Sequence, residues 1–301
     1  MFSLLIIMDK PMKALLKLPT TSLTDLQLSD VCTYQNTQYR QGDEVLNDDE
    51  FELVYMSALR ERLPGHPLLN KPQSTLVSGT GLIAHNKPML STDKAYTIED
   101  LEKYVSLCEK YAELNNIDIA SLMYRITPKL DGIAADYRKH EHLMLTRGED
   151  GFGENFSLLL DKGLHIVGDT CEDNLTGEVV VLREYFDQHI LGQYKNPQNY
   201  MGGVVNRIIN SNNTNKITDF ALKAKAIHFV VFNSVEGITV DRDSLIHSIE
   251  HIAKDMKDSC PYLTDGTVID VYNNNLKEKM GHNGRFHLWQ IAKKTRGVTA
   301  T

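Results

Sequence analysis

The chain has 301 residues, 42% of them hydrophobic and 24% charged, and a formal net charge of −8, which fits a water-soluble globular protein with core enough for one large domain or two small ones. Stand-alone nucleic-acid modules are usually basic, because neutralised phosphates supply much of their affinity, so any nucleic-acid contact here is expected to be local or supplied by something else. Cys32, Cys108, Cys171 and Cys260 are scattered without a C-x-x-C pair, which excludes a zinc-finger framework and predicts buried, reduced thiols.

In chain order, the apolar run at Phe2–Met8 is short and lacks a preceding basic stretch. Neither a signal peptide nor a membrane span is read there, and a cytoplasmic protein is expected. The first 75 or so residues read as helical. "NDDEFELVYMSALRERLPGHP" opens with Asn47 and Glu50 as a capping box, carries Phe51, Val54, Tyr55, Ala58 and Leu59 at helical spacing, and stops at Pro64-Gly65. Residues 71–90 are rich in Pro, Gly and Ser and read as a connector. A second helix follows in "TIEDLEKYVSLCEKYAEL", with Thr97 and Asp100 as its box and Leu101, Tyr104, Val105, Cys108 and Tyr111 as its stripe. After residue 120, "GIAADYR", "HLMLTR", "GEVVVL", "AIHFVVFNSV" and "GTVIDVY" are short β-branched or aromatic runs, with helical pieces such as "DRDSLIHSIEHIAKDM" between them. The expectation is an α+β protein, with a small helical domain over residues 1–80 and a domain on mainly antiparallel sheet over 81–301.

The stretch "PKLDGIAADYRKHEHLMLTRGEDGFGENFS" concentrates a lysine, carboxylates, an arginine and glycines. No Walker A sequence is present, and "GTG" at Gly79–Gly81 lacks both a third glycine and a preceding strand, so neither common nucleotide fingerprint applies. Lys129 and Asp131 offer another route. A deprotonated, positioned amine can attack a phosphorus, and cationic neighbours or a metal would lower its pKa and screen the phosphate. In extended chain, residues two apart share a face, so both side chains can enter one pocket, while Gly132 lets the backbone turn. Taken alone, K-x-D-G fits a surface hairpin with a solvated lysine better than a nucleophile site.

The surroundings make the signal specific. "KLDG" is followed by "TRGEDGFGEN", preceded by "HNKPMLST" (85–92), and succeeded by "TGEVVV" (176–181), "NPQNYMGG" (196–203), "DGTVID" and "RFHLWQIAKK". In this order and spacing the chain resembles the adenylation region of NAD-dependent, bacterial-type DNA ligases over about residues 34–295, and "NDDEFE" resembles that family's helical leader. The resemblance implies a nucleotidyltransferase domain after an NMN-binding leader, with NAD as AMP donor and Mg²⁺ as cofactor. It implies Lys129 as the nucleophile that becomes Lys-AMP, and Asp131 as the group that orients or deprotonates it. Arg147 and Glu178 would hold ribose and adenylate, Lys294 the α-phosphate, and Ser91 and Thr92 would touch the nucleotide. Asp48, Phe51 and Glu52 would grip the departing NMN half. Nicked double-stranded DNA is the implied substrate, with OB-fold, zinc-finger and helix-hairpin-helix parts expected on a second chain.

The sequence departs from the family at Thr127, where a glutamate reads adenine, at Gln198 for an arginine, and at Asp270 for a phosphate-binding lysine. Two other readings stay open: a relative in the same superfamily that uses ATP or caps RNA, and a non-catalytic nucleotide-binding scaffold. Trp289 is read as packing rather than ligand contact.

Overall fold

The computed structural model describes residues 12, 14–41, 50–70, 82–148 and 151–294. Asp48 and the Asn47 end of the expected capping box lie outside the described residues, as does the side chain of Glu52. The leader is helical as expected. Helix α1 (Asp25–Gln41) packs Leu28, Val31 and Cys32 against Tyr55, Met56 and Leu59. Phe51–Met56 winds as a π-helical turn and runs directly into α2 (Ser57–Arg62). Arg62 fastens this pair by donating to Asp25 and to the carbonyl oxygens of Thr20 and Leu23.

The rest is α+β. One sheet has the order β10-β3-β11-β12-β2, made of β2 (Ser91–Ala95), β3 (Tyr124–Leu130), β10 (Ile238–Val240), β11 (Thr264–Val271) and β12 (Phe286–Lys293). The other has the order β5-β4-β8-β9-β7, made of β4 (Ile133–Arg138), β5 (Leu143–Thr146), β7 (His165–Val167), β8 (Asn174–Val181) and β9 (Ile227–Val231). Only β12–β2 and β7–β9 pair in parallel; the other pairs in both sheets are antiparallel. A two-stranded ribbon, β1 (Leu82–Ala84) with β6 (Phe152–Glu154), completes the strands. Residues 82–84 therefore form a strand where composition alone reads a connector.

Helix α3 (Ile98–Leu114) starts on the expected Thr97/Asp100 capping box, which satisfies two helix-end donors at once. Its buried stripe Leu101, Tyr104, Val105 and Cys108 packs on Tyr124, Ile126, Ile269 and Val271 of the first sheet, with α5 (Arg242–Ser259) and α6 (Asn274–Met280) beside it. The second sheet is covered by its own core, in which α4 (Pro197–Ser211) contributes Tyr200, Met201, Val204 and Val205. Alternation leaves the opposite faces turned inward: Arg125, Thr127 and Lys129 of β3, Val268 and Asp270 of β11, and Thr176 and Glu178 of β8 line a common cavity. Leu130, Val180 and Val230 join the two sheets in a small apolar cluster.

The K-L-D-G stretch is not a hairpin turn. β3 belongs to the first sheet and β4 to the second, so Asp131-Gly132 is where the chain crosses between them. The hairpin lies further on, β4 to β5, with His142 in the left-handed region. Gly132 is required by proximity, since a Cβ there would stand 2.2 Å from the carbonyl oxygen of Val179. All four cysteines are free, and three are buried as expected; Cys171 is exposed.

Candidate active site

The cavity between the sheets has a volume of about 890 Å³. Among the described residues, nine lysines and arginines and four carboxylates line it, a positive excess inside a chain of net charge −8. Phe51, Ser91, Thr92, Lys129, Arg147, Glu178 and Lys294 all reach it, although their sequence positions span most of the chain. Phe51 also packs on the leader core.

Lys129 stands near the end of β3. Its Nζ is 3.0 Å from Asp265 Oδ1, and Lys294 Nζ donates to the same carboxylate through Oδ2. Asp265 is the second residue of β11, beside Gly266, whose φ is +141°, where the β3–β11 register shifts between Thr264 and Thr267. Pro128 sits opposite Thr267 at this irregularity, the kind of place where a strand tolerates a residue without an N–H. Asp265 was not singled out in the sequence reading. The available signal was its Asp-Gly pair ahead of a β-branched run, a repeat of Asp131-Gly132. Strand alternation also separates two adjacent lysines: Lys294 enters the cavity, while Lys293 turns to Glu250 on α5 at 2.8 Å.

The charges are strongly coupled. Burial works against the Lys129 ammonium, but Asp265, Glu178 and Asp131 outweigh it, so Lys129 holds its proton more tightly than an ordinary lysine. Burial also favours a neutral Asp265, yet Lys129 and Lys294 hold it down at about 2. Glu178, on the second sheet, is pushed up to about 8 by burial despite the pull of Lys129 and Arg147. Burial draws Arg147 below the usual guanidinium range, with Glu178 opposing. Asp131 contributes through its field at Lys129 and Glu178. An amine, an ionised carboxylate and several cations around one space can bind a phosphate ester and attack its phosphorus.

The far side of the wall explains one departure. Asp270 is buried and accepts from Lys277 of α6 at 2.5 Å, and that ammonium lies 4.8 Å from the centroid of the Trp289 ring. Asp270 thus brings its own lysine to the cavity wall. Trp289 packs on the first sheet's core, as read, and also lines the cavity.

Fold and site together define an α+β protein with a cation-rich cleft between two sheets and a lysine at the crossing point. The chain is 30% identical to the DNA ligase of Desulfatibacillum aliphaticivorans over 264 residues, 88% of this chain and 40% of that protein. It is 31% identical to the DNA ligase of Desulfotalea psychrophila over 259 residues, 85% and 37% of the two chains, and 28% identical to that of Vesicomyosocius okutanii over 272 residues, 90% and 42%. No protein-family model matches. The chain is a divergent homologue of the DNA ligases and spans about two-fifths of the length of these curated relatives.

Proposed function

We propose that this chain carries out the charging step of an NAD-dependent DNA ligase: Lys129 takes AMP from NAD and releases NMN. The carrying observation is the convergence of Lys129, Lys294 and Asp265 in one cavity lined by an excess of cations. In the step, the Lys129 ammonium first gives up a proton along the contact to Asp265, the freed Nζ lone pair forms a bond to the α-phosphorus, the P–O bond to the NMN phosphate breaks with its electron pair leaving on NMN, and a second Nζ proton passes to solvent to leave the neutral phosphoramidate nitrogen. Asp265 thus takes the orienting place that the sequence reading gave to Asp131, while Asp131 adds to the local field. Lys294 faces the negative charge that grows on the phosphate. Arg147 and Glu178 hold ribose and adenylate, Ser91 and Thr92 touch the nucleotide, and Phe51, with Asp48 and Glu52, meets the NMN half.

In this reading Mg²⁺ would come in with the nucleotide and be held mainly by its phosphates. Among the described residues no cluster of three metal-ligating side chains exists, but Mg²⁺ commonly uses one or two carboxylates plus substrate phosphates, and Glu178 and Asp265 face the same space. When bound, it would neutralise phosphate charge.

The AMP would then pass to the 5′-phosphate of a nick, and the 3′-hydroxyl would join the strand. The acidic net charge supports a reading in which the grip on DNA comes from other parts, of the OB-fold, zinc-finger and helix-hairpin-helix kinds. The scaffold alternative draws on Thr127 and Asp270, and Lys277 weakens it by restoring a cation beside Asp270. The test is intact-mass spectrometry after incubation with Mg²⁺ and either NAD or ATP, beside Lys129→Ala. An adenylate-sized gain with NAD, absent in the variant, is expected. A gain with ATP alone would transfer the reading to the ATP-using relatives, and no gain with either nucleotide would end it.

A further inference from the structure

His85 follows β1 directly, and its side chain is 1% exposed. Its Nδ1 lies 3.0 Å from Asp136 Oδ2 on β4, and its Nε2 lies 2.9 Å from the backbone carbonyl oxygen of Arg147. A neutral imidazole has one N–H and one bare nitrogen, so it can donate to only one partner. A carbonyl oxygen only accepts. Asp136 Oδ2 is also committed as an acceptor, because Arg138 Nε donates to it at 3.3 Å.

We propose that both ring nitrogens of His85 carry hydrogen, and that the resulting imidazolium is a clamp that positions Arg147 in the cavity. The role assigned to the clamp rests on reading Arg147 as a nucleotide contact; its charge state does not. Two distant sequence stretches meet here. The Arg147 amide donates to Ala134 on β4 at 3.2 Å, and its carbonyl is taken by His85, so both ends of the residue are fixed. The glycines of "TRGEDGFGE" make room for it. A Cβ at residue 153 would stand 2.8 Å from His85 Nε2 and 2.1 Å from the Thr146 carbonyl oxygen, and Gly148 has a φ of +61°. The His85 amide donates to Gly151 at 2.7 Å.

Charges of alternating sign run outward from the ring. Asp136 faces it, Arg138 lies behind Asp136 and donates to the Ala84 carbonyl oxygen, and Glu141 stands 3.6 Å from Arg138. Glu154 adjoins Gly153 in the chain. Two cations, His85 and Arg138, thus stand against the Asp136 and Glu141 carboxylates, and pairing of this kind is what a charge removed from water requires.

The test uses the whole chain labelled with ¹⁵N-histidine, in wild type, His85→Gln and Asp136→Asn. In long-range ¹H–¹⁵N spectra, the ring missing from His85→Gln is expected to have two protonated nitrogens, one of which loses its proton in Asp136→Asn. One bare nitrogen in the wild type would overturn the imidazolium. For positioning, the NAD concentration giving half-maximal single-turnover charging of Lys129 is expected to rise about tenfold in His85→Gln with the limiting charging rate nearly unchanged, the mark of lost uniform binding. The Arg147 Nε–H resonance, assigned by its loss in Arg147→Lys, should move in both variants. An unmoved half-saturation and an unmoved resonance would overturn the clamp. Should neither NAD nor ATP charge Lys129, the proposed function falls, and the Arg147 resonance still decides the clamp.

Discussion

Glu178 and Asp265 face the same cavity yet sit at opposite ends of the carboxylate range, and the difference lies in what each one touches. Asp265 is gripped by two ammonium groups and stays ionised down to about 2; Glu178 feels burial first and keeps its proton up to about 8. The consequences for stability have opposite directions. From the ordinary 4.5 to about 8, folded Glu178 binds a proton that unfolded glutamate has released, so its contribution falls as pH rises through that window. The contribution of Asp265 is present above the ordinary 3.8 and is lost as pH falls toward about 2. Thermal unfolding of wild type and Glu178→Gln at about pH 5 and about pH 8, where Asp265 stays ionised, isolates the Glu178 effect: the wild-type Tm should drop more steeply between the two buffers, and parallel drops would refute the assignment. Lys129, Arg147 and Glu178 were legible in the sequence because they stand in local motifs. Asp265 was not, because its importance comes from cross-strand register with Lys294 and from the β-bulge beside it, and neither is written in a local pattern.

At the scale of elements, the crossing from β3 to β4 places the nucleophile candidate of one sheet beside the carboxylate of the other. It depends on Gly132, where a Cβ would meet backbone rather than a movable side chain. Gly132→Ala is expected to destabilise the fold by about 2 kcal/mol, as overpacking at a rigid neighbour does, measured by urea unfolding; a loss near zero would mean the sheets part without strain. Sequence patterning marked the β-branched and aromatic runs that form β4, β5, β8, β9 and β11. It could not reveal which strands pair, so the K-L-D-G letters taken alone read as a hairpin where the chain passes between sheets. The ribbon strand Leu82–Ala84 was hidden for a similar reason. It is held by pairing with Phe152–Glu154, a partner about 70 residues away that propensity does not reveal.

For the molecule as a whole, we propose a division near residue 80, with the leader as a separate helical unit. Its core, from Leu23 to Leu69, is distinct from the cores of the two sheets, while Phe51, Met56 and Arg60 complete the cavity wall. Among the described residues no helix is long and apolar enough to cross a membrane. The positive charge is concentrated inside the cleft while the chain as a whole is acidic, so the attraction offered to a long polyanion is local. In gel-shift titrations, the chain by itself is therefore expected to hold nicked duplex weakly, with binding lost between about 50 mM and about 200 mM salt. Tight, salt-tolerant binding would mean that a DNA grip is already present.

The shared hold of Asp265 on Lys129 and Lys294 also bears on the chain between encounters with a nucleotide. A free amine in the cell reacts with whatever acyl or carbamoyl donor drifts past. An ammonium locked against a carboxylate has no lone pair to offer such reagents, so the nucleophile of the proposed step is kept dormant until a phosphate competes for the same partners.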